Sequence, residues 1–116
     1  SIRNSIAASK RGGYEFFFRA PTLVVAANRT GYGNAMADSA CVLENMMLAA
    51  HALGLGSCWI NREIEMFRTS EGHDLMVREL GLPEGLTGVG AISLGYPDGA
   101  ASPCKPRKEG YVRIVR

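Results

Sequence analysis

The chain has 116 residues, 47% of them hydrophobic and 21% charged, with a formal charge of +2. That length sets the expectation of one domain, 1–116, and so small a net charge gives no argument for nucleic acid or a membrane surface as partner. The longest stretch free of Lys, Arg, Asp and Glu, Asn45 to Asn61, contains Asn45, His51 and two glycines, which argues against a membrane span.

Ser1 to Ser9 has weak helical character (Ile2, Ile6, Ala7), broken by Lys10 to Gly13, and Tyr14 to Phe18 is an aromatic run that suits core wedges. Ala20-Pro21 marks a boundary. Thr22 to Ala27 is a continuous apolar run rich in branched residues, as expected of a strand buried on both faces. A turn over Asn28 to Asn34 leads into the most distinctive stretch, Ala35 to Leu53. No Pro or Gly interrupts it, and Met36, Ala40, Leu43, Met47 and Ala50 form a stripe at helical spacing that Val42, Met46, Ala49 and Leu53 widen. A helix apolar on most of its faces is expected to be covered on more than one side, in the interior or at a subunit interface. Gly54 and Gly56 stop it.

Ser57 to Asn61 reads as a short buried strand, and Arg62 to Thr69 as a mixed connection. Ser70 is placed to N-cap a helix over Glu71 to Leu80, with Leu75, Met76 and Leu80 facing the core and Gly81 and Pro83 ending it. Leu86 to Gly95 alternates as a strand whose glycines permit close backbone approach or a bulge. A turn at Tyr96 to Gly99 and a loop over Ala100 to Gly110 precede Tyr111 to Val115, which alternates as a terminal strand. Nothing before that strand makes a hairpin, so one solution is that it pairs with another subunit. Strands separated by helices favour a sheet with helices on both faces.

Few residues carry a chemical signature. No nucleophile triad, Walker loop or dinucleotide-binding glycine motif is present, and the cysteines and histidines lack metal-site spacing. Cys41 and Cys58 are expected as buried free thiols and Cys104 as a surface thiol, with the cytoplasm as the default compartment. Glu63 and Glu65 are expected to be solvated. Asp38 and His51 sit where a helix dipole stabilises them. Tyr32 is more simply a packing residue than a cover over a substrate. Lys105-Pro106-Arg107 stands apart. In an extended segment residues two apart share a side, so Lys105 as a point charge and Arg107 through paired hydrogen bonds can clamp a phosphate.

In order, Arg19-Ala20-Pro21-Thr22-Leu23-Val24-Val25, the segment from Asp38 to Trp59, Leu80-Gly81-Leu82-Pro83, Leu94-Gly95-Tyr96-Pro97 and Lys105-Pro106-Arg107 resemble the motifs of the FMN-dependent nitroreductase family over nearly the whole chain. The resemblance implies an α+β fold, a three-layer α-β-α sandwich with a long buried central helix, assembled as an intertwined homodimer with FMN at the interface. It implies an oxidoreductase taking reducing equivalents from NAD(P)H to nitroaromatics, quinones or related acceptors. By position it places the backbone of Asn61 and Arg62 at the flavin N5 edge, Trp59 and Ile60 along the ring, and Lys105 and Arg107 on the phosphate. It assigns no catalytic side chain. Many members carry a Pro and a Gly in the stretch matching Trp59 to Arg62, and this chain has neither.

The family normally begins with a segment that this sequence lacks, which carries an arginine-rich phosphate motif. Ser1-Ile2-Arg3 is too close to Ala20-Pro21 to be that motif. The expectation is therefore a fragment or shortened member holding part of an FMN site and binding flavin weakly by itself. The alternative is a non-catalytic flavin-binding or dimerisation module.

Overall fold

The computed structural model describes residues 17–61, 63–100 and 103–115. The expectations for residues 1–16 and for Arg62 lie outside them. In order, the elements are β1 (Thr22–Arg29), α1 (Ala35–Ala52), β2 (Gly56–Ile60), α2 (Glu63–Phe67), α3 (Ser70–Asp74), a π-helical turn (Leu75–Glu79) and β3 (Leu86–Gly95).

The strand at residues 86–95 is the centre of the fold. The sheet runs β1-β3-β2, with both neighbours antiparallel to β3. Its core is built along β3, where Ala91 and Ile92 have no exposed surface and Ser93 is buried. The register shifts between Ala26 and Ala27, which face Gly90 and Gly88, so Val89 is the extra residue of a bulge. Cross-strand partners share a face, so the bulge sends Gly88 and Gly90 to opposite faces. A Cβ at Gly90 would lie 2.9 Å from Leu43 Cδ1 of α1, and one at Gly88 would lie 2.5 Å from Phe67 Cδ2 of α2. The glycines of this strand thus let two helical side chains seat on the backbone itself.

Several expectations change. β1 and β2 are edge strands, with β1 half-buried along its middle and Ser57 and Cys58 of β2 exposed. Neither is sealed on both faces. A three-stranded sheet has only one interior strand, and the apolar runs did not reveal which. α1 spans the expected residues and ends as expected, with Gly54 at φ +77° and the Leu55 N–H donating to the Ala50 carbonyl at 2.8 Å. Among the described residues it is covered on only one side. Ala35, Ser39, Leu43 and Ala50 are buried, while Val42, Leu48 and Leu53 are 54%, 60% and 77% exposed. Cys41 is exposed on this helix too, so neither it nor Cys58 is a buried thiol.

The expected connection before the second helix contains α2, whose Ile64 and Phe67 are buried. The next helix is capped by Thr69, not Ser70. The Thr69 hydroxyl accepts from the Gly72 N–H at 3.0 Å and donates to the Met66 carbonyl at 2.8 Å. Thr69→Ala removes both bonds and is expected to cost about 1 kcal/mol in a denaturant melt; Ser70→Ala, outside the cap, is expected to cost less. The helix widens to a π turn at Leu75–Glu79, where the Leu80 N–H reaches the Leu75 carbonyl. That extra residue per turn disrupts the expected stripe: Met76 is buried, but Leu75 and Leu80 are exposed.

The terminal strand does not form. Residues 103–115 are an irregular arm, with a bend at Glu109 and Gly110, belong to no sheet among the described residues and are exposed throughout, with Val112 and Val115 more than four-fifths exposed.

Candidate functional site

Three of the five motif segments that carry the resemblance meet in the fold. Pro21 packs where a Cβ on Gly95 would stand, with Pro21 Cδ at 2.9 Å, and Gly56 faces the Gly95 carbonyl and Pro97. The Ala-Pro step, the glycine after α1 and the Leu-Gly-Tyr-Pro step therefore form one close-packed corner at the start of β1 and β2. Leu80-Gly81-Leu82-Pro83 closes the π turn, with Gly81 at φ +71° and the Leu82 N–H donating to the Met76 carbonyl at 2.8 Å. These motifs are explained by backbone geometry.

Residues expected at a ligand lie elsewhere, at the far end of β2 and in the arm. Trp59 pairs with Ile92 and is half-buried, its ring 3.4 Å from the Cβ position of Gly90, beside Leu43. It is a wedge between sheet and α1. Ile60 pairs with Ala91 and is 4% exposed, so its side chain belongs to the core and only its backbone is available to a ligand. Asn61 lies just past the last ladder pair and is exposed. Lys105 and Arg107 are exposed in the arm and make no hydrogen bond or ion pair among the described residues. No hydrogen bond or ion pair among the described residues joins the arm to the end of β2; within the arm, Lys108 Nζ stands over the Tyr111 ring at 5.9 Å.

Tyr32 is 41% exposed, with the Arg29 guanidinium 5.9 Å from its ring centre, a cation–π pair at the end of β1. Glu65 is exposed and pairs with Arg68 at 3.4 Å. Glu71, at the start of α3, has its carboxyl held below the ordinary range, first by its own backbone N–H and then by the Ser70 hydroxyl at 3.1 Å. A depressed carboxyl favours the folded state above the ordinary carboxylate range, and that contribution is lost as the pH falls through the lowered value. Among the described residues, no group of His, Cys, Asp and Glu is placed to hold a metal, and no helix is long and apolar enough to cross a membrane.

The model of the nitroreductase family matches residues 2–96. The chain belongs to the nitroreductase family. This nitroreductase-family chain is similar to a Bacteroides fragilis nitroreductase with bound FMN, at 37% identity and a TM-score of 0.81, covering 95% of this chain and 60% of that one. A Desulfitobacterium hafniense nitroreductase with bound FMN is 25% identical, with a TM-score of 0.76, 97% of this chain and 60% of that one being covered. An Archaeoglobus fulgidus protein named for NADH dehydrogenase or NAD(P)H nitroreductase activity is 35% identical over 60 residues, 52% of this chain and 32% of its own. The chain thus spans 60% of the two FMN-bound relatives and about a third of the Archaeoglobus fulgidus protein.

Proposed function

We propose that this chain is the FMN-holding part of an oxidoreductase that passes reducing equivalents from NAD(P)H to nitroaromatic, quinone or related small-molecule acceptors. The observation that carries the reading is its 37% identity, over nearly its whole length, to an FMN-bound nitroreductase of the same fold. Two features of the chain fit the cofactor. Lys105 and Arg107 are cations with no partner among the described residues, suited to a phosphate. Asn61 presents backbone beyond the ladder, where a ring edge can approach. When bound, FMN supplies the hydride and electron-transfer chemistry that the side chains named here lack.

On this reading Lys105 and Arg107 hold the phosphate, Asn61 and Arg62 offer backbone donors to the ring, Trp59 braces the end of β2 and Ile60 anchors it in the core. The outward face of α1 packs on a second copy in a homodimer, the arm crosses to that copy, and the layers complete a three-layer sandwich. Cytoplasmic residence belongs to the same reading and rests on the three free cysteines. A second reading, a flavin-binding or dimerisation module without turnover, is supported by the exposed apolar residues of α1, where Val42 and Leu48 are 54% and 60% exposed.

The test is FMN titration followed by quenching of flavin fluorescence. The chain alone is expected to bind weakly, and Arg107→Ala to weaken that binding about tenfold or more, as loss of a hydrogen bond to a charged group does. Affinity equal to the parent's in both Arg107→Ala and the Lys105→Ala/Arg107→Ala double variant would remove the arm from the site. NAD(P)H oxidation with added FMN and an acceptor separates the two readings, since only the enzyme turns over.

A further inference from the structure

A cleft of about 420 Å³ opens between the β1–β3 end of the sheet and the corner joining α2 to α3, and it shares no residue with the β2 end or the basic arm. Phe67, 3% exposed, lies at its wall and gives it an apolar base. Across from the helical corner, the Thr30 and Thr87 hydroxyls stand 2.7 Å apart. Two hydroxyls in one hydrogen bond use one of their two hydrogens, so this pair keeps one O–H to offer a ligand. His73 is half-buried in the wall, and its ring has no hydrogen bond among the described residues. Arg68 gives Glu65 only its Nη1, at 3.4 Å, which leaves the rest of its fork available.

Two other hydroxyls of the lining have spent their hydrogens: Thr69 donates to the Met66 carbonyl and Ser70 to Glu71 Oε2. Asp74 is the one carboxylate among the lining residues, and Arg78 Nη2 stands 3.7 Å from its Oδ2. The available donors of Arg68, His73 and the threonine pair face an apolar base.

We propose that this cleft is a second small-molecule site and that it takes a compact carboxylate with an apolar body. Arg68 offers the planar fork that matches a carboxylate, the imidazole of His73 and the threonine pair supply two further donors, and the ring of Phe67 meets the apolar part.

The probe is benzoate, titrated into the 116-residue chain and followed by amide chemical shifts. Saturable shifts are expected at Thr30, Arg68, His73 and Thr87 without movement along β2 or residues 103–115. His73→Phe removes one donor from a half-buried position and Arg68→Gln removes the charged fork from an exposed one. Each is expected to leave the melting curve in place; His73→Phe should weaken binding about fivefold, the ratio that one ordinary hydrogen bond gives, and Arg68→Gln about tenfold or more, as loss of a charge-assisted pair does. The proposal fails if no saturation appears at millimolar benzoate, if the shifts map elsewhere, or if both variants bind as the parent does. Saturation by inorganic phosphate but not by benzoate would overturn the assigned class.

Discussion

Gly72→Ala is expected to destabilise the fold by about 3 kcal/mol, opposite in sign to what helix propensity alone gives. Alanine in a helix is ordinarily better than glycine by about 1 kcal/mol, and Gly72 is a helical residue of α3 with no left-handed backbone to forbid the change. The obstacle is Met66. A Cβ at residue 72 would meet its carbonyl group, the carbon at 2.7 Å and the oxygen nearer still. That carbonyl cannot swing away cheaply, because it accepts both the Thr69 N–H at 3.0 Å and the Thr69 hydroxyl at 2.8 Å. Relief requires α2 and α3 to part, which withdraws Phe67 from Gly88 and opens the core beside β3. Gly33 supplies the contrast: nothing lies within 4 Å of its Cβ position and its φ is not positive, so Gly33→Ala should be neutral or stabilising by about 0.4 to 1 kcal/mol. Urea melts of the two variants measure the difference. A Gly72→Ala protein as stable as the parent would mean that the α2–α3 corner is not close-packed.

That corner marks where sequence reasoning stops. The long helix was legible because nothing over residues 35–53 breaks it and a glycine follows at once; β3 was legible because alternation is bounded by turns on both sides. The glycines of β3 announced close approach or a bulge, and both occur. What a helix touches was not legible. An apolar stripe has the same composition whether its own sheet or another surface covers it, so exposure of Val42 and Leu48 could not be read from their hydropathy. The helix α2 was hidden because it is only one turn long and opens with two glutamates among its first three residues. Thr69 and Ser70 are both cap-forming types, and only the bonds of the Thr69 hydroxyl, from the Gly72 N–H and to the Met66 carbonyl, distinguish them. The π turn is set by hydrogen bonds that no side-chain pattern encodes. At the candidate site, Lys105 and Arg107 were legible as charges on a stiff segment, whereas the cleft was not, since Thr30 and Thr87 are brought together by a sheet register across a bulge.

The second large effect divides α1 into two faces. Leu43 has no exposed surface and seats against Gly90 and the ring of Trp59, so Leu43→Ala should cost about 3 to 5 kcal/mol through lost burial and the cavity left in a tight site. Leu48 on the same helix is 60% exposed. In an isolated chain Leu48→Ala should change stability by no more than about 0.5 kcal/mol. Yet Leu48 stands in the middle of the uncovered arc of α1, with Met36 and Val42 exposed at its two edges, roughly 120° around the helix axis to either side. If a second copy covers that face, as proposed, the outward positions behave differently from surface residues. The parent's melting temperature should rise with protein concentration, since association stabilises by mass action. Leu48→Glu should abolish that dependence and halve the mass measured by sedimentation, because a carboxylate cannot be buried against an apolar partner without a large desolvation cost. Its helical content should be unchanged, since the face that packs on the sheet is untouched. Leu43→Ala should lower the melting temperature at every concentration while leaving association to be decided by whatever folded protein remains. A parent that sediments as a monomer across the accessible range, with Leu48→Glu indistinguishable from it, would leave α1 as a one-sided helix and remove the homodimer from the functional reading.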